Sequence, residues 1–314
     1  MGEERSAGWK RRHEEWLRYI NEAVRVLDSG EGIPVGPSAT ALEPPPAPGP
    51  TGRVWHIVVC APHPDDEALI GAIPLRLRQE CGARVSNCAI TFGSNLSQRA
   101  RRLRELESAC RVLGFELVIP QRPLGFDNVS LQNRTDRPQE WAAKVQVLSR
   151  CFERLLPDVV FAPHAEDWNK AHVGTHYLAV DALGDYLGRS HRGPIPFLET
   201  EFWHENSQAN LMVGVSPEDE AILVMGTAEH GGEVSRNPYH LRHPSRMIEN
   251  VRLGAETVGG QGGAAPDFPF AELYRVTFMR GKEQVAARPG GRIIRPTDKI
   301  DLDELLRGFR PEGL

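Results

Sequence analysis

The chain has 314 residues, of which 40% are hydrophobic and 25% charged, a composition typical of ordinary globular proteins. Its 42 acidic residues outnumber its 37 lysines and arginines, which gives a formal net charge of -5. Nucleic-acid binding needs a concentration of basic residues to neutralise phosphates, so we expect no nucleic-acid partner. No apolar run approaches the roughly 20 residues that cross a bilayer, and the N-terminus lacks the apolar segment of a secretion signal. We therefore expect a cytoplasmic protein without a membrane span.

The first 52 residues predict a helix followed by an extended segment over residues 30–52, here called the strap. Within Trp9–Leu27, apolar side chains including Trp16, Ile20 and Val24 recur at the spacing of one helix face. Residues 30–52 are rich in proline and glycine, which block both helix and sheet and favour an extended connection. This segment is expected to link the helix to the main domain or to lie over it.

Residues 53–190 alternate apolar, strand-length runs with helical patterns, which predicts the α/β core of the protein. The expected strands are Val54–Ala61, Val85–Thr91, Phe115–Pro120 and Val159–Pro163. The expected helices cover 68–80, 98–113, 141–156 and 172–187. Continuous apolar strands suit burial on both faces, and the alternation predicts a Rossmann-like, doubly wound, mostly parallel α/β sheet with helices on both faces.

Residues 191–314 have a different pattern, with irregular, glycine-rich sequence and short strand-like pieces at Pro196–Trp203 and Leu273–Met279. We expect this third of the chain to add strands and loops to one end of the same sheet. It is therefore predicted to be an extension of the core domain.

Four ionisable side chains follow the first buried strand directly, in His63-Pro64-Asp65-Asp66-Glu67. In open α/β sheets, ligands bind beyond the carboxyl ends of the strands. Imidazole and carboxylate groups are typical zinc ligands, and a cation would offset the repulsion between adjacent carboxylates. The alternative is helix capping by the acidic residues, which explains one or two carboxylates but not the histidine.

A second polar loop follows the buried strand Val159–Pro163 and precedes a helix, in the sequence HAEDWNKAH from His164 to His172. Because the two loops lie at the same edge of the sheet, His63, Asp66 and His172 can meet there. Three protein ligands with a water in the fourth position are the pattern of catalytic zinc. His176, four residues further along the same helix face, is the rival third ligand.

These motifs together resemble the PIG-L/LmbE-like deacetylases. The HPDDE pentapeptide is the most specific part of the resemblance, which spans roughly residues 54–185. The remaining parts are Thr91-Phe92-Gly93, an Arg102-x-x-Glu105 helix running into Leu113-Gly114, and the later histidine motif. The resemblance implies Zn²⁺ as the cofactor, His63, Asp66 and His172 as its ligands, and Asp65 as the general base.

The second motif departs from the family pattern His-Pro-Asp-His, because the matching residues are Asn169-Lys170-Ala171-His172. The last zinc ligand is kept. The first histidine, which stabilises the oxyanion in relatives, is replaced by Asn169, and its supporting aspartate is replaced by Ala171. Asn169 could donate an amide hydrogen bond in its place. A histidine from elsewhere could also take over, and the candidates are His164, His230, His240 and His243.

Three further residues are candidates for substrate binding. Asp127 occupies the position of a substrate-contacting aspartate in relatives, and Arg102 is a candidate of the same kind, with a surface helix charge as the alternative. His240 is the third candidate. It ends a polar, turn-rich stretch that predicts an ordered loop near a site or subunit contact, with a plain surface loop as the alternative.

We therefore expect a zinc-dependent hydrolase that removes the N-acyl group from an N-acetylglucosamine-type sugar or glycoconjugate, and that could form a homo-oligomer. An amidase acting on a small-molecule, mycothiol-type conjugate would use the same site. A nucleotide-binding Rossmann protein is a further alternative, although the loop after the first strand lacks the G-x-G-x-x-G glycines. A metal-binding protein that has lost catalysis is the last alternative, because of Asn169 and Ala171.

Overall fold

A computed structural model describes residues 2–43 and 53–313 of the chain. A nine-stranded sheet forms its centre. The strands are β1 (His56–Ala61), β2 (Arg84–Ala89), β3 (Glu116–Val118), β4 (Val159–Pro163), β5 (Ile195–Thr200), β6 (Leu211–Val215), β7 (Phe270–Arg280), β8 (Glu283–Ala286) and β9 (Arg292–Ile294). The helices are α1 (Gly2–Glu31), α2 (Asp66–Leu69), α3 (Ala72–Cys81), α4 (Arg99–Leu113), α5 (Leu131–Asp136), α6 (Pro138–Leu155), α7 (Lys170–Ser190), α8 (Pro217–Ala228), α9 (Gly231–Val234), α10 (His243–Thr257) and α11 (Leu302–Phe309).

The predicted Rossmann-like fold is confirmed in the order β3-β2-β1-β4-β5, whose neighbouring strands are all parallel. The chain runs outwards from β1 to β3 in one direction and then crosses to β4 on the other side of β1. The gap between the ends of β1 and β4 is therefore the topological switch point, where open α/β sheets bind ligands.

Burial along β1 shows why the sheet is covered on both faces. All six residues of the strand are buried. Ile57 and Val59 belong to one hydrophobic cluster, whereas Val58 and Cys60 belong to another on the opposite face. Successive side chains of a strand point to opposite faces, so a continuous apolar run requires two separate layers of helices.

The remaining strands extend the sheet beyond β5. β7 pairs antiparallel with β5, β6 and β8, and β9 pairs parallel with β6. Residues 191–314 thus add strands directly to the edge of the parallel sheet. They also form helices α8, α9, α10 and α11, where strands and loops were expected. The sequence carries a start signal for α8, because the Ser216 hydroxyl accepts a hydrogen bond from Asp219 N and a proline opens the first turn.

The helical pattern predicted over 68–80 is split into two helices, α2 and α3. The break falls at Gly71, where a Cβ would lie 2.9 Å from the Glu67 carbonyl oxygen and 2.9 Å from a methyl group of Leu223. The interruption separates the short turn that carries Asp66 from the helix that packs on the sheet.

The start of the predicted strap lies along helices α4 and α8. Gly36 N donates to Ala228 O, Leu42 N donates to Arg111 O, and Ser38 N donates to the Glu229 carboxylate. The proline-rich residues 44–52 lie outside the described residues. Within the described residues, no helix has both the length and the apolar character needed to cross a bilayer.

Candidate metal centre

The loop after β1 is shaped by its own carboxylates. Asp66 Oδ2 accepts a hydrogen bond from His63 N at 2.8 Å, and Glu67 Oε2 accepts one from Asp65 N at 3.0 Å. Asp65 precedes α2 with a φ of 117°, a backbone conformation that non-glycine residues rarely adopt. Such residues persist only where the surrounding hydrogen bonds hold them, and they cluster at functional sites.

The loop after β4 presents His172 from the first turn of α7. Asn169 caps this helix, because its Oδ1 accepts a hydrogen bond from Ala171 N at 2.9 Å. Asp167 Oδ1 accepts from Asn169 N at 2.7 Å, and Asp167 Oδ2 lies 3.2 Å from His172 Nδ1. The contact with Asp167 leaves Nε2 of His172 directed towards the loop after β1.

His63, Asp66 and His172 meet at the switch point between β1 and β4. His63 Nδ1 lies 3.3 Å from His172 Nε2, and Asp66 Oδ2 lies 3.4 Å from each of these nitrogens. A tetrahedral ion with bonds of roughly 2.0–2.2 Å separates its ligand atoms by roughly 3.3–3.6 Å. The three atoms therefore have the spacing that a zinc ion requires. Among the described residues, this is the one cluster of His, Cys, Asp or Glu suited to a metal.

The electrostatics of the cluster favour positive charge. Burial opposes ionisation of His172, but the carboxylates of Asp66 and Asp167 outweigh it and raise its pKa to about 9. Burial likewise opposes ionisation of Asp66, yet His172 and His63 hold its pKa below the usual range. The pKa of His63 is lowered, mainly by burial. The same field that attracts a proton to His172 would attract a metal cation.

Asp65 stands beside the cluster without belonging to it. Burial, followed by repulsion from Asp66, raises its pKa to about 7. The Tyr239 hydroxyl donates a hydrogen bond to Asp65 Oδ2, and Arg102 Nη2 lies 3.9 Å from the same oxygen. A buried carboxylate with these partners can hold or release a proton near neutral pH, as a general base requires.

Below this loop, Glu67 is fully buried and pairs with a histidine from the C-terminal third. His230 Nε2 lies 2.7 Å from Glu67 Oε1, and both side chains are completely shielded from solvent. Burial lowers the pKa of His230, but Glu67 outweighs this effect and the net shift is upward. The pair joins the C-terminal third to the backbone that carries Asp65.

The cluster faces a polar cavity of about 610 Å³. Asp65, Asp66 and His63 line it, and its other lining residues are Phe92, Gly93, Ser94, Asn95, Gln98, Arg101, Arg102, Asn169, Trp203, Gly232, Glu233 and Arg236. Gly93 has a φ of +82°, and a Cβ there would lie 2.6 Å from Arg102 Nη1. The glycine therefore leaves room for the guanidinium, which is anchored by a hydrogen bond from Nη2 to Pro64 O.

Some of the residues that the sequence suggested for oxyanion stabilisation and substrate binding line the cavity, and others do not. Asn169 and Arg102 line the cavity. Asp127 is exposed and pairs with Arg99, outside the cavity lining. His164 Nε2 contacts the carbonyl oxygen of residue 204, and His240 is a buried residue of the 3₁₀ turn after α9; neither lines the cavity. His176 Nδ1, the rival ligand atom, lies 2.8 Å from Pro163 O.

Four residues at this site were given no individual role from the sequence. Asp167 orients His172, Tyr239 contacts Asp65, and Trp203 and Glu233 line the cavity. Asp167 had a local signal, since an aspartate five residues before a candidate ligand on a helix is placed to support it. Tyr239 and Glu233 lie in the polar, turn-rich stretch that ends at His240, for which a loop near a site or subunit contact was one expectation. The pairing of Tyr239 with Asp65 had no local signal, because the two residues are 174 positions apart.

The fold and this cluster define a class: a Rossmann-like α/β protein with three potential metal ligands and a general-base candidate at the switch point of its sheet. Residues 58–183 match the model of the PIG-L family, described as GlcNAc-PI de-N-acetylase. The resemblance to the PIG-L/LmbE-like family is confirmed over this segment, which contains both loops of the centre. No curated protein gives a match to the chain.

Several solved structures share this fold. A conserved protein from Thermus thermophilus is 18% identical, with a TM-score of 0.50 over 71% of this chain and 94% of its own. An N,N'-diacetylchitobiose deacetylase from Pyrococcus horikoshii is 16% identical, with a TM-score of 0.52 over 74% and 86%. A 4-carboxy-2-hydroxymuconate hydratase from Pseudomonas putida is 18% identical, with a TM-score of 0.50 over 74% and 100%. At these identities the likeness concerns the fold, and function has to be argued from the site.

Proposed function

We propose that this protein is a zinc-dependent N-deacetylase that removes an acetyl group from an N-acetylglucosamine-type sugar, free or within a glycoconjugate. The observation that carries the proposal is the triangle of His63 Nδ1, Asp66 Oδ2 and His172 Nε2, with edges of 3.3–3.4 Å, beside Asp65 on the wall of a polar cavity. Its position within the segment that matches a de-N-acetylase family supports hydrolysis of an amide.

Zinc would be held by the three residues of the triangle, and when bound it supplies Lewis-acid polarisation of a carbonyl and acidification of water. Asp65 then acts as the general base. Its carboxylate accepts the proton of the attacking water and delivers it to the nitrogen of the leaving amine. The Tyr239 hydrogen bond fixes the orientation of Asp65 for both transfers.

The group that stabilises the oxyanion is proposed to be the side-chain amide of Asn169. Its Oδ1 is occupied in capping α7, whereas no described residue accepts a hydrogen bond from its Nδ2. Asn169 lines the cavity together with the metal cluster. An asparagine amide is an established type of oxyanion donor, and removing one such donor costs roughly 3 kcal/mol of transition-state stabilisation.

The cavity supports a sugar as the substrate. Ser94, Asn95 and Gln98 contribute hydroxyl and amide groups to its lining, and Arg102 contributes a guanidinium. These groups suit the hydroxyls of a carbohydrate. The volume of about 610 Å³ lies within the usual range for small-molecule sites, roughly 300–1,000 Å³. An amidase acting on another small conjugate would share the reaction but not this substrate.

The test combines metal content with product release. Purified protein should bind one zinc ion per chain and release acetate from a panel of N-acetylated amino sugars. The variants His63→Ala and His172→Ala should lose both properties. His204→Ala is the matched control, because His204 is an exposed histidine outside the lining of the main cavity. Zinc retention in both ligand variants would overturn the metal site, and zinc-loaded protein inactive on the whole panel would overturn the sugar deacetylase.

A further inference from the structure

Helix α1 leaves the body of the protein and carries a wide apolar face without a partner among the described residues. Seven large apolar side chains on it are between 46% and 64% exposed: Trp9, Trp16, Leu17, Tyr19, Ile20, Val24 and Val26. The helix contacts the body near its C-terminal end, where Gly30 lies against Leu241. Its aromatic rings contact other rings of the same helix, since Trp9 stacks on His13 and Trp16 meets Tyr19 edge-on.

The sequence of α1 follows a heptad repeat. With His13, Ile20 and Leu27 at the a positions, the d positions hold Trp9, Trp16 and Ala23. From residue 16 to 27, the a, d, e and g positions are all apolar or aromatic: Trp16, Leu17, Tyr19, Ile20, Ala23, Val24, Val26 and Leu27. The b, c and f positions from residue 14 to 29 are all polar: Glu14, Glu15, Arg18, Asn21, Glu22, Arg25, Asp28 and Ser29. Such a division is typical of a helix that packs against other helices.

The exposed area is large enough for a stable interface. Taking 150–250 Å² for an aromatic side chain and less for an aliphatic one, the exposed fractions amount to roughly 700 Å². The largest apolar patch of a typical monomer is roughly 300–600 Å². A standard protein interface buries roughly 800 Å² on each partner. The face of α1 alone therefore supplies almost all the area that one partner needs.

The charges on α1 indicate that its partner is another copy of the same helix. The charges that flank the apolar face lie at the e and g positions. Within residues 7–31 these are Lys10 and Arg12 towards the N-terminal end and Glu31 at the C-terminal end. An antiparallel pair of helices would set the basic end of each against the acidic end of the other. This arrangement has the self-complementarity of a two-fold symmetric interface.

The polar face does not suit a membrane surface. Helices that lie on anionic lipid are rich in lysine and arginine opposite their apolar side. From residue 7 to 29, the b, c and f positions of α1 instead hold four acidic residues, Glu14, Glu15, Glu22 and Asp28, and three arginines, Arg11, Arg18 and Arg25. This face therefore lacks the excess of positive charge that binds such a helix to anionic lipid.

We propose that two copies of this chain associate through an antiparallel pairing of their α1 helices, which buries the apolar face in a two-fold symmetric dimer. The first experiment measures the mass of the full-length protein by sedimentation equilibrium over a range of concentrations. The double variant Trp16→Glu, Ile20→Glu should have half the mass of the wild type. The double variant Asn21→Glu, Ser29→Glu adds the same two side chains on the polar face and should keep the wild-type mass.

A second experiment tests the orientation without disturbing the apolar face. Lys10→Cys and Glu31→Cys are prepared separately, mixed and oxidised, with Cys81→Ala in both because Cys81 is the partly exposed cysteine of the described chain. Antiparallel helices should give mainly the mixed disulfide between positions 10 and 31. Links between two copies of position 10 would overturn the antiparallel pairing.

Two results would overturn the dimer itself. One is a wild-type mass that is unchanged in the Trp16→Glu, Ile20→Glu variant, while circular dichroism shows that the core of the variant is folded. The other is a wild-type protein that is monomeric at all concentrations. Flotation of that monomer with vesicles of phosphatidylcholine and phosphatidylserine would assign the apolar face to lipid.

Discussion

Replacing Asp167 with asparagine should weaken zinc binding without removing any of the three proposed ligands. Asp167 Oδ2 lies 3.2 Å from His172 Nδ1, and both side chains are fully shielded from solvent. The asparagine would keep a similar shape, but it is uncharged and has one acceptor oxygen, whereas the two oxygens of Asp167 contact both Asn169 N and His172 Nδ1. His172 would then lose the contact that fixes its orientation and makes its Nε2 a better ligand.

The size of the effect follows from the contact that is lost. A hydrogen bond to a charged group contributes roughly 1.5–3 kcal/mol. This energy corresponds to a fall in zinc affinity of roughly 10-fold to 100-fold, which is the range known for the loss of a group that supports a metal ligand. Burial of the pair places the expected value towards the upper end, because solvent does not screen it.

The affinity is best measured by competition with a chromophoric chelator at neutral pH. Glu166→Gln is the matched control, since it makes the same chemical change at the adjacent residue, which is exposed and bonded to Gln208. The control should bind zinc as tightly as the wild type. Equal affinities for Asp167→Asn and Glu166→Gln would refute the argument that Asp167 supports a metal ligand.

Two further predictions concern buried carboxylates. The Tyr239→Phe variant lacks the hydrogen bond that orients Asp65. Its kcat for acetate release should fall roughly 10-fold or more, while its zinc content stays unchanged. An unaltered kcat would show that the hydroxyl has no part in catalysis. Burial raises the pKa of Glu272 from 4.5 to about 7, so ionisation of this group lowers the free energy of unfolding progressively as the pH rises through that interval. The Glu272→Gln variant cannot ionise at this position. Its free energy of unfolding minus that of the wild type, measured by urea denaturation, should therefore increase by about 3 kcal/mol between about pH 4.5 and pH 8. A difference that is constant with pH would contradict the raised pKa of Glu272.

The sequence by itself determined the features that depend on neighbouring residues. The uninterrupted apolar run of β1 required burial on both faces, and the HPDDE motif that follows it placed His63 and Asp66 between this strand and the next helical pattern. The spacing of apolar residues likewise identified β4 and α7, so the loop that carries His172 could be placed at the same edge of the sheet. These features are local, because strand burial and helix starts are set by residues a few positions apart.

Only the tertiary structure decided which distant groups complete the site. Tyr239 reaches Asp65, and His230 reaches Glu67, from segments more than 160 residues away in the chain. Both contacts depend on how α8, α9 and the turn after them pack beside the first loop, and no local spacing encodes that packing. The choice between His172 and His176 was also tertiary, since both share a helix face. The fold directs His172 towards His63 and Asp66, and it directs His176 onto the backbone of β4.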